Sequence, residues 1–382
     1  MRVLDCHTIE TIPAVGCDHK RSTTRLCAFT NLPELPDIVT QQDCIHNEEL
    51  ALRNRHLVDK LPYPQYLRPS RDGVMYNTKP VHRGLTTADI MTLRRRQATR
   101  WINGRTVEPL TILDSMLKYT GRRFVNLAAA HHENSHRLPK GKVKAFVKVD
   151  YFTEEDALQK PPRMIQYRGP AYNLELDPWL YPAEHTLLNG PGLGPTRTPE
   201  CSKGMTPIER GQAILDKWYS FEDPVGVCMD YSAFDSTQFT HVLQQEHDVW
   251  KAMCPGINTE LLDAQLVNRC QTKHGIKYTA VGTRMSGDRN TGGGNSVTNV
   301  LNYRVVCEIL GIQSAEFLCD GDDSVAVMER SDAAVFVQHA PGIIGKAFGM
   351  ILKDCTVVDH IDDLYYCQHK IVVTLDGPQC YR

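Results

Sequence analysis

The chain has 382 residues, a hydrophobic content of 41% and a formal net charge of −2, which allows one large or two ordinary domain cores and excludes a molecule that is basic over its whole surface. Thirteen cysteines form an odd, scattered set without a Cys-x-x-Cys pair, so neither a disulfide framework nor a zinc ribbon is indicated, and the setting reads as reducing and cytosolic. No apolar run approaches the roughly 18 residues of a membrane span, and the N-terminus lacks the apolar core of a signal peptide.

Residues 1–80 are rich in Pro, Thr, His and Asp, and Pro62, Pro64 and Pro69 punctuate their end; loop-rich structure is predicted. From residue 86 the character changes. Leu93-Arg94-Arg95-Arg96, Arg100, Arg105 and Arg122-Arg123 put a basic region on predicted helices, which reads either as a solvated face or as a phosphate-tracking surface. His132-Glu133-Asn134-Ser135-His136 fits the H-E-x-x-H zinc pattern. That chemistry needs both histidines on one helix face and a third ligand, for which Glu154 or Glu155 is available. Pro139 and Gly141 leave the helix little room to continue, so surface histidines are the plainer reading.

A second basic stretch holds Lys140, Lys142, Lys144, Lys148, Lys160, Arg163 and Arg168. Phe146 and Val147 alternate with its lysines, predicting a strand with a charged face, and Met164–Tyr167 predicts another. Two such strands facing one channel would attract a triphosphate; a charged edge strand is the alternative. After the Gly/Pro-rich connection Gly190–Pro207, Gly226–Met229 predicts a short strand ending at Asp230, with Asp235 completing D-x4-D. About one such pair is expected per chain by chance, so it carries nothing alone. Residues 236–253 have helical spacing. Ser286-Gly287, Thr291 and Asn295 then form S-G-x3-T-x3-N, a pattern expected by chance in only about 0.4% of such chains. It reads as a glycine-rich loop opening a helix from Ser296 to about Leu310, with Asn295 and Asn299 on one face.

Glu316-Phe317-Leu318 and Val325-Ala326-Val327 predict two strands joined by a turn at Asp320-Gly321. Asp320, Asp322 and Asp323 crowd this turn. Two carboxylates about 4 Å apart repel by roughly 4 kcal/mol at an effective dielectric of 20. Mg²⁺ suits such oxygens and keeps open positions for phosphate. Gly-Asp-Asp alone occurs in about one such chain in ten and reads equally as a solvated turn. Beyond it, residues 332–348 predict a helix interrupted at Pro341-Gly342. Met350–Lys353 and Leu364–Gln368 predict strands, and residues 371–375 a strand followed by a turn at Asp376-Gly377-Pro378.

The order of these features is more specific than any one of them. Basic strands, D-x4-D, S-G-x3-T-x3-N, G-D-D, a Lys-bearing strand and Y-C-Q resemble motifs F, A, B, C, D and E of viral RNA-dependent RNA polymerases. The wording is closest to the tombusvirus-like (carmovirus-like) plus-strand group. Ala145-Phe146-Val147-Lys148, Pro162-Arg163-Met164-Ile165-Gln166, Tyr172-Asn173-Leu174-Glu175-Leu176, Arg284-Met285-Ser286-Gly287 and Tyr366-Cys367-Gln368 carry it. The resemblance covers residues 140–370 well and 1–139 weakly.

It implies an α/β right-hand polymerase with a ferredoxin-like (RRM-like) antiparallel palm, helical and irregular fingers, and a thumb largely absent. Fingers with an N-terminal extension would be 1–225, palm 226–254, a fingers insertion 255–285, palm 286–370, and the start of a thumb 371–382. The expected function is template-directed RNA synthesis replicating a plus-strand viral genome by two-metal nucleotidyl transfer. Asp230 and Asp322 would bridge two Mg²⁺ ions, with Mn²⁺ a possible substitute and Asp323 beside them. Asp235 and Asn295 would read the ribose 2′-hydroxyl, where reverse transcriptases carry an aromatic in place of Asp235. Ser286 and Thr291 would hold that network and the template backbone. Lys148, Lys160 and Arg163 would guide the triphosphate, and Lys353 would act as general acid.

Template and product RNA, nucleoside triphosphates and a membrane-anchored viral replication protein are the implied partners, without DNA. The implied location is the host cytoplasm, at membrane-associated replication complexes, with no transmembrane segment in the chain. Two departures from the group stand out. Gly292-Gly293-Gly294 is expected to loosen its loop, and Asp150, Glu154, Glu155 and Asp156 interrupt the basic strands. The end of the chain just after motif E suggests a fragment of a longer polymerase. A zinc metallopeptidase centred on His132 and His136, or an inactive RNA-binding scaffold, are the alternatives.

Overall fold

The computed structural model describes residues 8–11, 22–24, 38–57, 67–69, 75–77, 81–134, 141–153, 156, 159–374 and 377–381. The elements that position the site are, in chain order, α1 (Thr87–Ile102), α2 (Gly121–Asn134), β1 (Val143–Val147), β2 (Met164–Arg168), α3 (Pro170–Leu188), α4 (Pro207–Trp218) and β3 (Pro224–Ser232). There follow α5 (Thr240–Met253), β4 (Val267–Thr272), β5 (Lys277–Val281), α6 (Thr291–Leu310), β6 (Ala315–Asp320), β7 (Asp323–Glu329), α7 (Arg330–Phe348) and β8 (Ile351–Val358). Last come β9 (Tyr365–Tyr366), β10 (His369–Thr374) and β11 (Gly377–Tyr381). The fold is mixed α/β.

Strands β6-β7-β3-β8, in that order, make an antiparallel sheet. Its central strands are apolar on both faces because both faces are covered. Phe317, Cys319, Ala326 and Met328 join Val300, Tyr303, Phe336 and Ile344 of α6 and α7 in the main core. Their neighbours Leu318, Val325 and Val327 pack instead with Ile214 and Trp218 of α4. This is the period-2 alternation of a strand, with a different apolar partner on each side.

α6 is buried almost all round, as a helix at the centre of a core must be. It begins at Thr291, not Ser296, so the glycine triplet is its first turn and not a loosened loop. Its glycines serve close packing: a Cβ on Gly293 or Gly294 would collide with Glu184 or Glu246. α7 likewise runs unbroken through Pro341-Gly342. An interior proline costs about 3 kcal/mol, but Ala340, Ile343, Ile344, Ala347 and Phe348 are buried around it, and packing of that face outweighs propensity.

The second sheet is mixed: the edge strand Thr8–Thr11, then β5, β4, β1 and β2, with β4 and β1 parallel. β1 buries Val143, Ala145 and Val147 and turns Lys144 outward, as a strand with a charged face should, but Phe146 shares that outward face with Lys144 and does not alternate with it. The basic helix divides differently from expectation. Arg94 on α1 is fully buried, donating to Asn302 Oδ1 (3.0 Å) and Gln245 Oε1 (2.9 Å), so it cannot track phosphate. Tyr366-Cys367-Gln368 is a strand end and a turn, not a strand throughout. Cys367 and Gln368 have φ of +51° and +62°, the left-handed pair of a two-residue hairpin turn. β10 and β11 pair antiparallel and complete a three-stranded sheet with β9. Cys201, Cys228, Cys254, Cys307, Cys319, Cys355, Cys367 and Cys380 are free, and among the described residues no helix is long and apolar enough to cross a membrane.

Candidate active site

Three elements deliver the acids. β6 and β7 pair as far as Asp320 opposite Asp323, so the turn tip is Gly321-Asp322, one residue later than the sequence suggested. Gly321 has φ +69°, which glycine takes without strain. α6 pins this turn from behind. Gly321 N donates to Ser296 Oγ (2.9 Å), and Asn299 Nδ2 donates to the carbonyls of Gly321 (3.1 Å) and Asp322 (3.3 Å). β3 lies against β7 with Met229 opposite Ser324, so Asp230 sits beside Asp323 where that ladder ends, while β3 itself runs on to Ser232, two residues past the strand end the sequence suggested, with Asp230 opposite Asp354 of β8. From β8, Lys353 Nζ reaches Asp230 Oδ2 at 2.6 Å, and Arg210 of α4 stands 3.5 Å from Asp320.

Acid therefore outnumbers base at the turn. Burial within the cleft walls raises the Asp322 pKa, and Asp230 and Asp320 raise it further, although its side chain still meets solvent. Asp323 is pushed up to about 6 by burial and then by Asp322, Asp230 and Asp320. Lys353 is raised by its hydrogen bond to Asp230. The carboxylates of Asp230, Asp322 and Asp323 do not all lie within 4.8 Å of one another; Asp43, Glu48 and His274 are the set among the described residues that does. Like charges hold the three apart.

Ala233 has φ +53° and turns the chain out of β3 into the 3-10 turn Phe234–Thr237. Such strain persists only where neighbours over-determine it. Here Asp235 Oδ1 accepts from Asn295 Nδ2 (2.7 Å), and Asn295 Oδ1 accepts from Gln238 Nε2 (2.7 Å). Arg284 continues the chain to Gln238 Oε1 (3.3 Å) and Glu246 Oε2 (3.1 Å). Burial lifts the Asp235 pKa to about 6, against the Asn295 hydrogen bond, with Asp322 adding to the rise.

The other sequence candidates divide. Ser286 Oγ accepts from Gln166 N (3.0 Å), and Thr291 Oγ1 donates to the Met285 carbonyl (2.7 Å), so these two shape the loop before α6 and tie it to β2. Lys148 (3.3 Å) and Arg163 (2.6 Å) converge on Asp150, and Arg163 lies near enough to Asp322 to lower its pKa. Lys160 is exposed and pairs with Asp156 (3.0 Å). His132 is exposed on α2, while His136, Glu154 and Glu155 lie outside the described residues. Sequence reasoning assigned no role to Ser296, Gln238, Arg284 or Glu246; the nearness of Ser296 to Asn295 and the place of Arg284 in Arg284-Met285-Ser286-Gly287 were the signals available, and Gln238 and Glu246 had none.

The family model described as "Viral RNA dependent RNA polymerase" matches residues 30–382. The chain belongs to this family. It is 34% identical over 215 residues to the RNA-directed RNA polymerase of Cucumber necrosis virus, covering 54% of this chain and 26% of that protein. With the RNA-directed RNA polymerase of Tobacco necrosis virus (strain A) it shares 29% over 350 residues, 88% of this chain and 45% of the relative. With that of Carnation mottle virus it shares 34% over 237 residues, 58% and 29% respectively. The chain thus spans less than half the length of these relatives. Viral RNA-dependent RNA polymerases generally use divalent metal ions, and nothing in these likenesses supports a zinc peptidase.

Proposed function

We propose that this chain carries out template-directed RNA synthesis for a plus-strand RNA virus. The observation that carries the reading is the acidic turn: Asp322 and Asp323 are fixed by Ser296 and Asn299 beside Asp230, and among the described residues neither of them has an ion pair. An all-oxygen carboxylate set with raised pKa values suits a hard divalent cation. Asp230 and Asp322, with Asp323 beside them, would hold two Mg²⁺ ions (or Mn²⁺), which would supply charge stabilisation for attack of a 3′-hydroxyl on the α-phosphate.

The chain's own residues do the rest. Asp235 and Asn295 form a donor–acceptor pair suited to a ribose 2′-hydroxyl, which both donates and accepts. Ser286 and Thr291 keep the loop that faces template and ribose in shape. Arg163 and Lys148 neutralise the triphosphate, and the exposed Lys160 adds charge to its approach. Lys353, released from Asp230, gives its proton to the departing pyrophosphate.

In this reading the four-stranded sheet with α6 and α7 is the palm (226–254 and 286–370). Residues 1–225 and 255–285 are fingers, and 371–382 lead towards a thumb. Template and product RNA and nucleoside triphosphates are the partners, with a membrane-anchored replication protein at replication complexes in the host cytoplasm.

Extension of an RNA primer on an RNA template, with Mg²⁺ and all four ribonucleotides, is the test. Template-dependent extension by the wild type that is lost in Asp322→Asn supports the reading. Equal extension by the two proteins would sink it.

A further inference from the structure

Asp43, Glu48 and His274 each bring one ligand atom within 4.8 Å of the other two. They come from distant parts of the chain. Asp43 stands just before the helix Ile45–Ala51, Glu48 lies in its first turn, and His274 sits in the turn between β4 and β5. Apolar packing brings these segments together. Ile45, Ala51 and Leu52 share a cluster with Val143, Ala145, Met164 and Ile276 of the mixed sheet and its turn. Two hydrogen bonds then fix the carboxylates. Asp43 Oδ1 accepts from Val147 N (3.1 Å), and Glu48 Oε1 accepts from His274 N (3.2 Å).

Two observations point to a cation at this cluster. The first is an orphaned oxygen. The Glu48 side chain is 0% exposed, and its Oε2 has no hydrogen-bond partner among the described residues. Native folds rarely leave a buried polar atom unpaired, and a bound ion is one of the few reasons they do. His274 Nδ1 lies 3.0 Å from Oε1, so a proton on the imidazole serves that oxygen and leaves Oε2 as it was. Lys273 Nζ pairs with Asp43 Oδ2 (2.8 Å) and not with Glu48. The second observation is spacing. Zinc bonds of about 2.0–2.2 Å to nitrogen and oxygen set neighbouring tetrahedral ligands roughly 3.3–3.6 Å apart. His274 Nδ1 stands 3.0 Å from Glu48 Oε1 and 4.0 Å from Asp43 Oδ1, on either side of that spacing. Glu48 closes the inner wall, while Asp43 and His274 keep some exposure and leave room for water as a fourth ligand.

We propose that Asp43, Glu48 and His274 bind a zinc ion that ties the N-terminal segment to the β4–β5 turn. An imidazole with two carboxylates suits zinc, whereas the all-oxygen acidic turn suits magnesium. Glu48 and His274 are 226 positions apart, so the ion closes a long loop of chain and holds residues 43–57 on the mixed sheet. The site stands whether or not the chain polymerises RNA.

The test uses the full chain, stripped with a chelator and kept in excess Mg²⁺. Zn²⁺ is titrated in by calorimetry, and the zinc-loaded protein is read by X-ray absorption. One tightly bound zinc is expected, with a shell of oxygens and a single imidazole. Its melting temperature should rise by roughly 3 °C at free zinc about 100-fold above Kd. His274→Ala should weaken binding at least about 10-fold and remove most of that rise. Asp43→Asn, which keeps an acceptor for Val147 N, should do the same. His132→Ala should change neither, which separates this site from the H-E-x-x-H pattern. Wild-type zinc affinity in both His274→Ala and Asp43→Asn would overturn the proposal. So would loss of the zinc in His132→Ala, or a wild type that binds no zinc in excess Mg²⁺, where His274 is then an ion-pair partner of Glu48 and nothing more. If a variant fails to fold, the wild-type spectrum decides: oxygen with one imidazole supports the site, and a shell dominated by sulfur assigns the zinc to cysteines and overturns it.

Discussion

Two regions of the molecule treat charge in opposite ways. In the loop before α6 and within α6 itself, arginines are buried or mostly buried with carboxylate partners: Arg168 with Asp288, Arg284 with Glu246, Arg289 with Asp177 and Glu184, Arg304 with Glu200. At the β6–β7 turn, Asp322 and Asp323 have no ion pair among the described residues, while Asp230 pairs with Lys353 and Asp320 with Arg210, and Arg163 and Lys203 act from further away. Matched charges fix geometry. Unmatched charges hold repulsion that a bound cation relieves, at the expense of stability without it. The first region is built to stay still and the second to bind.

The largest effect is expected at the unmatched end. Asp322→Asn should cut nucleotide addition by roughly 10³-fold, since an amide cannot supply the charge. Its melting temperature should hold or rise, because repulsion is removed. Primer extension and thermal melting check both halves; a melting temperature that falls with activity would mean the turn is structural.

Arg304→Ala should do the reverse. It strands Glu200 in the core, where an uncompensated charge costs about 3–5 kcal/mol. Urea unfolding should show that loss, while activity per folded molecule changes little.

Asn295→Ala sits between the regions, since Asn295 joins the buried chain at Gln238 to Asp235. Discrimination between ribo- and deoxyribonucleotides should fall about 10-fold, more than overall binding does. Competitive incorporation of the two sugars measures it.

The smallest effect is on stability against pH. The folded Asp235 pKa, about 6, lies above the ordinary aspartate value. The folded state therefore holds this proton more tightly, and the stability it contributes is full below about pH 4 and lost as pH rises through about 6. Asp235→Asn should make the fall in melting temperature across that window shallower. Asp323, with a similar pKa, should leave part of it in place.

The matched and unmatched regions were not equally legible in the sequence. The acidic turn and its strands could be read because local pattern sets them: Phe317-Leu318 and Val325-Ala326-Val327 flank a glycine turn, and Asp230 ends an apolar run. The ion-paired region could not, because its logic is tertiary. Gly293 and Gly294 of α6 make room for Glu184 and Glu246, which are distant in sequence. Arg94 looks like its exposed neighbours Arg95 and Arg96 until Asn302 and Gln245 are brought to it. Pro341 reads as a break because the apolar face that holds α7 together is visible only against the sheet. Glu48 lies in a stretch that reads as loop, and its significance depends on His274, 226 positions away in the chain.

Anomalous scattering from Mn²⁺ in crystals of the protein grown with a ribonucleoside triphosphate tests the central claim most directly. Mn²⁺ should appear against Asp230 and Asp322, with Lys353 moved away from Asp230. Crystals with Mn²⁺ bound elsewhere, the β6–β7 turn empty and Lys353 still on Asp230 would contradict the assignment of these carboxylates as the metal-binding centre.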